Sequence, residues 1–121
     1  MTNSARDPRS LLPLTPLAFQ VLLALAGENR HGYAIIQDVE ARTDGLIRLR
    51  TGTLYTLLQR LLDEGLIEPA GDAEPADPSG RRRYYRLTDL GRGVLEAEAA
   101  RLEDLVFEAR RRQVLRRPSR V

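Results

Sequence analysis

The chain has 121 residues and a formal net charge of only +2, which sets 19 basic side chains against 17 acidic ones. A chain of this length forms one small domain whose core gains stability from packing against a partner. The absence of cysteine excludes disulfides, thiolate nucleophiles and cysteine-bound zinc, and the single histidine leaves little scope for catalysis.

The basic residues are concentrated in two blocks. Residues 81–92 carry five arginines and one acid, and residues 110–120 carry six arginines and no acid. The longest uninterrupted apolar run, residues 21–26, is far shorter than the roughly 20 residues of a membrane-spanning helix. Because the N-terminus also lacks the apolar core of a signal peptide, we expect a cytoplasmic protein with no membrane partner.

The first ordered element is predicted to be a helix over residues 16–26. Residues 1–13 show no periodicity and are expected to form a flexible N-terminal arm, with order beginning near Leu14. Thr15 and Pro16 are a typical N-cap and first helical residue. The apolar positions that keep helical spacing are Phe19, Leu22, Leu23 and Ala26.

Two further helices follow. The second is predicted from His31 to about Arg42, with Tyr33, Ile35, Ile36 and Val39 on its buried side. The third is expected to be capped by Thr51 and to end at Gly65. Its apolar stripe follows the i, i+3, i+4, i+7, i+8 pattern through Leu54, Leu57, Leu58, Leu61 and Leu62.

A β-hairpin is predicted after the third helix. Its first strand comprises residues 66–68 and is limited by Pro69, and residues 71–80 form an acidic loop rich in proline and glycine. On the return strand, alternation places Tyr85 and Leu87 on the buried face. Arg82, Tyr84 and Arg86 then occupy the opposite face.

The last predicted helix is capped by Thr88 and extends over some 25 residues to about Leu115. Its apolar residues follow a heptad seam, which comprises Leu95, Ala99, Leu102, Val106 and Ala109 and is widened by Leu105. A long helix at the end of a small domain needs a second surface to cover such a seam, which predicts a homodimer. The alternative is that this helix packs only on the first helix of its own chain.

The face of the third helix opposite the leucine stripe has the composition of a DNA recognition helix. Gly52, Thr56 and Gln59 point away from the stripe, and Thr53, Tyr55 and Arg60 flank them. Small polar residues near a helix N-terminus can enter the major groove and reach base edges. Thr51 and the first free N–H groups can bind a phosphate. Considered alone, Thr51 could be only a helix cap and Gln59 only a solvated residue. The occurrence of all these residues on one helix face favours a role in DNA recognition.

The arginines at the start of the return strand are candidates for contacts with the DNA backbone or minor groove. They are Arg81, Arg82 and Arg83, with Arg86 further along. Because the hairpin tip is acidic, contact is expected near residues 80–83 and not at the tip. The alternative is a solvated basic face, and that is also the interpretation given to the C-terminal arginines. His31 is interpreted as a capping or packing residue.

The chain resembles the PadR family of transcriptional regulators over roughly residues 14–110. The resemblance rests on His31-Gly32-Tyr33, Gly52-Thr53-Leu54-Tyr55 with Leu58, Arg60 and Leu61, Gly65-Leu66-Ile67, residues 81–85, and Leu87-Thr88. It implies a winged helix-turn-helix, a homodimer built by the C-terminal helix, and repression relieved by a small molecule. It also implies DNA contacts at Thr51, Gly52, Thr53, Tyr55 and the wing arginines. The chain departs from the family at Thr56, where proline is common, and in lacking tryptophan.

The predicted fold is therefore mainly α with a small β-hairpin, in the form of a winged helix-turn-helix with a long dimerisation helix. The expected divisions are a flexible arm (1–13), a DNA-binding domain (14–88), a dimerisation helix (89–116) and a basic tail (117–121). The predicted function is that of a homodimeric transcriptional regulator, expected to act as a repressor, that binds a palindromic site in double-stranded DNA. No cofactor is expected, and a small-molecule effector is a candidate partner. The alternatives are a winged-helix module that binds protein, a MarR-type regulator, and an enzyme. The enzyme is disfavoured because no paired carboxylates or glycine-rich phosphate loop are present.

Overall fold

The computed structural model describes residues 7–71 and 83–116. These ranges contain a short N-terminal 3₁₀ helix, four α-helices and three strands. In chain order, the α-helices are α1 (Pro16–Ala24), α2 (Gly32–Arg42), α3 (Thr51–Asp63) and α4 (Asp89–Arg111), and the strands are β1 (Arg30–His31), β2 (Ile67–Pro69) and β3 (Tyr84–Leu87). The mainly helical architecture with a small sheet confirms the predicted fold class.

Three helices begin at side-chain caps that the sequence indicates. The Thr15 hydroxyl accepts a hydrogen bond from the N–H of Ala18 at 3.1 Å, and the Thr88 hydroxyl accepts one from Gly91 at 2.9 Å. His31 caps α2 by accepting from the N–H of Ala34 through Nδ1 at 3.2 Å. The interpretation of His31 as a capping or packing residue is thereby confirmed, in the form of a cap.

The predicted cap of α3 is wrong by one residue. The N-cap is Arg50, which makes no side-chain capping bond, and Thr51 is already helical. The connector is anchored by Leu49, which is buried immediately before the helix. The Arg50 carbonyl is therefore the first acceptor of the helix, receiving the N–H of Leu54 at 2.8 Å.

The sheet has one more strand than predicted, in the order β1-β3-β2 with both pairings antiparallel. The two residues of β1 pair with Tyr84 and Tyr85. A strand of two residues is too short to show alternation, which explains why the sequence pattern does not reveal it. Tyr85 is buried and Arg86 is exposed, as the alternation on the return strand predicts.

The core lies where the four α-helices meet the sheet. The leucine stripe of α3 is confirmed, because its buried residues are Leu54, Leu58 and Leu61. The prediction that Tyr33 belongs to the core is wrong, since the residue is 63% exposed. The buried side of α2 comprises Gly32, Ile35 and Val39, and Tyr33 points away from it. Leu23 of α1 is also exposed, because that helix buries Ala18, Val21, Leu22 and Ala24.

The prediction that ordered structure begins near Leu14 is also wrong. Residues 8–11 form the 3₁₀ helix, which packs against α4. The leucines at positions 11, 12 and 14 show no helical or strand period in the sequence, but all three are packed against the core. We call residues 7–14 the N-terminal strap. No helix in the described ranges is long and apolar enough to span a membrane.

Candidate nucleic-acid interface

The leucine stripe of α3 leaves the opposite side of that helix facing outward. The predicted contact residues on this side are exposed, namely Thr51, Gly52, Thr53, Thr56, Gln59 and Arg60. Leu17 and Thr15, at the start of α1, line a shallow groove together with Gly52, Thr53 and Thr56. A groove that combines small polar residues with the apolar Leu17 and Leu57 therefore extends from the start of α3 to the start of α1.

The start of α3 carries the features of an anion-binding surface. Its first N–H groups receive no side-chain cap, and a Cβ built on Gly52 would meet no atom within 4 Å. A ligand can therefore approach the backbone of this turn closely at Gly52. A helix N-terminus with free N–H groups and a positive dipole end favours phosphate.

Arg48 and Arg50 flank this helix start, and sequence reasoning did not include them. Both are exposed, on either side of buried Leu49. Neither guanidinium forms a salt bridge within the described residues. The alternation of arginine, leucine and arginine was the available signal, since a buried middle residue turns its two neighbours outward.

Tyr55 lies differently from the other predicted contact residues. It is half-buried, and a Cβ built on Gly32 would come within 2.5 Å of its hydroxyl oxygen. The ring of Tyr55 therefore lies against the first residue of α2, where only glycine leaves enough room. This packing joins two of the sequence motifs, because it sets the position of α3 relative to α2.

The wing arginines are described only in part. Arg81 and Arg82 lie outside the described residues, whereas Arg83 is exposed immediately before β3. Burial raises the pKa of the Tyr85 hydroxyl, nearby Tyr55 raises it further, and the positive charge of Arg83 lowers it. The charge of Arg83 therefore acts on Tyr85 in the neighbouring strand β3. Arg86 is engaged within the sheet, where its Nε lies 2.9 Å from a carboxylate oxygen of Glu68.

Two polar side chains on the outer face of α3 are held by partners one turn further along the helix. Gln59 donates from Nε2 to Oδ1 of Asp63 at 3.0 Å. Nε of Arg60 lies 3.6 Å from a carboxylate oxygen of Glu64. The Asp63 contact orients the Gln59 amide, leaving its oxygen and one N–H for another hydrogen-bonding partner.

The predicted dimerisation seam begins in the core and emerges from it along α4. Leu95 is buried, Leu102 and Ala109 are half-buried, and Ala99 is exposed. In the second half of the helix, Leu105 is 55% exposed and Val106 is 39% exposed. Within this one chain, α1 therefore covers only part of the seam, and the alternative in which α4 packs solely on α1 does not account for the exposed half.

The comparison with known protein families identifies one family. Residues 21–97 match the model of the transcriptional regulator PadR-like family. An uncharacterised protein X from Lysinibacillus sphaericus is 34% identical over 95 residues, which cover 73% of this chain and 84% of that protein. An uncharacterised 37.1 kDa protein in transposon TN4556 of Streptomyces fradiae is 41% identical over 92 residues, covering 74% of this chain but only 24% of that protein.

The fold comparison gives the same result. A PadR-like transcription factor from Bacteroides fragilis superimposes with a TM-score of 0.64 and is 27% identical. The match covers 78% of this chain and 87% of that one. The arrangement of α1 to α4 around the small sheet is therefore the winged helix arrangement of that protein.

Proposed function

The chain belongs to the PadR-like family of transcriptional regulators, and we propose that it is a repressor that binds a palindromic operator as a homodimer. The observation that carries this proposal is the outer face of α3. It is polar, built of small residues, open at its N-terminus and flanked by Arg48 and Arg50, which form no salt bridge in the described part of the chain. Such a face fits the width of a major groove and the charge of its phosphates.

Each part of the surface has a proposed role. The first N–H groups of α3, with Thr51 and Thr53, bind a phosphate, and Arg48 and Arg50 extend this contact along the backbone. Thr56 and Gln59 face base edges, and Arg60 binds a base or phosphate beside them. The wing arginines Arg81, Arg82 and Arg83 bind the backbone or minor groove. Tyr55 contributes mainly by holding α3 against Gly32.

The proposed assembly is a dimer built on the exposed half of the α4 seam. A two-fold dimer would present two copies of α3 to two half-sites about one helical turn apart, and such a dimer predicts a palindromic operator. A small molecule bound near α4 would change the separation of the two α3 helices in the dimer and would thereby release the repressor from its operator. The proposed site of action is the cytoplasm.

The test is selection of duplexes from a random library, followed by affinity measurements at several salt concentrations. We expect log K to fall linearly with log salt, with a slope of about 0.9 for each phosphate neutralised. Arg50→Ala should weaken binding to every duplex and, because the dimer carries two copies of Arg50, reduce the slope by about 2. Arg112→Ala, which removes an equal charge that pairs with Glu108 at the end of α4, is the matched control.

The competing function is a winged-helix module that binds protein through the same face. It would be supported if no duplex is enriched and if Arg50→Ala and Arg112→Ala behave alike. Steep salt dependence together with an enriched palindrome would reject it.

A further inference from the structure

Glu98 is a buried carboxylate that the proposed DNA contacts do not use. It lies in the middle of α4, is only 2% exposed, and is the last buried residue along that helix. Oε1 accepts from Nε of Arg101 at 2.6 Å, and Oε2 accepts from Nη2 at 2.8 Å. Oε2 also accepts the backbone N–H of Leu14 at 3.1 Å, a contact between residues 84 positions apart.

This carboxylate closes the contact between the N-terminal strap and α4. At one end of the strap, Pro8 lies against Gly93, where an added Cβ would come within 3.1 Å of the proline Cγ. At the other end, the N–H of Leu14 binds Glu98. The strap therefore crosses α4 between Gly93 and Glu98, immediately before the helix leaves the core.

Stability alone is a weak explanation for this arrangement. Burying a carboxylate costs desolvation energy that its half-exposed partner Arg101 offsets only in part, and an apolar residue of similar volume often stabilises a core equally well. Of the hydrogen bonds to Glu98, the one from the Leu14 N–H comes from outside α4, and because a hydrogen bond is directional it is satisfied only when the strap and α4 keep one relative position. Its most specific effect is therefore on the direction in which α4 leaves the core.

We infer that Glu98 is a positioning residue that sets the spacing between the two DNA half-sites, an inference that rests on the proposed function. The part of α4 from Glu98 to Arg111 projects about 20 Å at the helical rise. A tilt of about 10° at Glu98 would move the far end by about 3.5 Å, close to the roughly 3.4 Å rise of one base pair. Tying α4 to the strap thus restricts the dimer to one half-site separation.

The experiment uses the full chain and the duplex selected above, with its half-site spacing lengthened or shortened by one base pair. We expect the wild type to lose at least about tenfold in affinity at either altered spacing, since one base pair also rotates the half-sites. Glu98→Gln should lose less than about threefold at the altered spacings while losing some affinity at the original one. Glu96→Gln, on an exposed site of the same helix, should keep the wild-type profile.

A second variant acts on the strap without altering the carboxylate. Gly93→Leu places a side chain where Pro8 lies and should broaden spacing tolerance in the same way. Hydrogen exchange at the Leu14 amide should be faster in both Glu98→Gln and Gly93→Leu than in the wild type, which reports release of the strap independently of DNA. Folding of each variant is checked by circular dichroism.

The outcomes separate this inference from the proposed function. If the wild type enriches no duplex, the proposed function fails and the inference fails with it. If the wild type binds its duplex with a sharp spacing preference that folded Glu98→Gln and Gly93→Leu both retain, only the inference is overturned. A wild type that binds two half-sites with no spacing preference would also overturn it.

Discussion

Gln59 is the residue best placed to read a base from the outer face of α3. It lies in the third turn of the helix, exposed, with its amide oriented by Asp63. A glutamine amide can pair with both hydrogen-bonding groups on the major-groove edge of adenine. Its orientation by Asp63 reduces the entropy lost when such a pair forms.

We expect Gln59→Ala to reduce discrimination among operator variants by about 1–3 kcal/mol at one symmetry-related pair of positions. Affinity for non-specific DNA should stay unchanged, because the side chain carries no charge. Competition binding with single-base operator variants measures both quantities. Equal loss on all duplexes would mean that Gln59 binds the backbone, and no loss would mean that α3 is rotated away from the bases.

The contact between Gly32 and Tyr55 gives a prediction about stability. Gly32→Ala brings a methyl group into the space of the tyrosine hydroxyl and should destabilise the fold by about 1–2 kcal/mol in urea unfolding. Combining it with Tyr55→Phe, which removes that oxygen, should cost less than the sum of the two single changes. Gly27→Ala is the matched control, since a Cβ there meets no atom within 4 Å. Strictly additive effects would show that the two residues do not press on each other.

Single residues also show where sequence reasoning reaches its limit. Gln59 and Thr56 could be placed outward because the leucine stripe fixes the phase of α3. Tyr33 was misplaced because α2 is short and its buried side depends on Gly32, whose role appears only once Tyr55 is packed against it. Arg48 and Arg50 lie in a connector without a helical period, where their alternation with the apolar Leu49 is the one short signal of their direction.

A helix or strand can be predicted from the sequence when the residues that determine it lie close together in the chain. The helices α1, α3 and α4 were predicted from apolar spacing and from caps such as Thr15 and Thr88, which act within one turn. The strand β1 and the N-terminal strap were not predicted. Both are stabilised by partners distant in the chain, β3 for the strand and α4 for the strap, and neither carries a period of its own.

The contact between the strap and α4 predicts acid sensitivity. Hydrogen bonding from Arg101 lowers the pKa of the Glu98 carboxyl below its ordinary value of 4.5, opposed by burial and assisted by the N–H of Leu14. The unfolded chain therefore binds this proton more tightly than the folded chain. The stability that Glu98 contributes is present above the unfolded pKa and is lost as the pH falls through the folded pKa.

We expect the difference in unfolding free energy between the wild type and Glu98→Gln to shrink as the pH is lowered from 7 to about 3. Urea unfolding at each pH measures it. The pKa of Glu108 is also lowered, by hydrogen bonds from Arg111 and then Arg112, but that residue is present in both proteins and cancels in the difference. A difference that stays constant with pH would show that the charge of Glu98 does not contribute to folding.

At the scale of the whole molecule, α4 joins the two proposed activities of the chain. Its first half completes the core beneath the DNA-binding surface, through Val94 and Leu95, and its second half carries the exposed seam. Any change in how two copies pair along that seam would therefore move the two α3 helices relative to each other. The proposed release by a small molecule at the seam would then require no movement within the winged core.

The seam can be tested by a charge substitution at its most exposed leucine. We expect Leu105→Glu to convert a dimer at micromolar concentration into a monomer in sedimentation velocity, because two carboxylates would meet across the two-fold interface. Affinity for a duplex with two half-sites should fall by about 100-fold or more, since the second contact is no longer held at high effective concentration. Weak binding to a single half-site should persist.

Phe107 provides the control that tests the phase of the seam. It is 65% exposed, more than Leu105, so burial within the chain alone gives no reason to prefer one over the other. At helical geometry, however, Phe107 lies about 130° round α4 from the centre of the heptad stripe. Phe107→Ser should therefore leave the dimer intact. If Phe107→Ser yields a monomer while Leu105→Glu does not, the two chains meet on the opposite side of α4. The two α3 helices would then be separated differently from the arrangement proposed here.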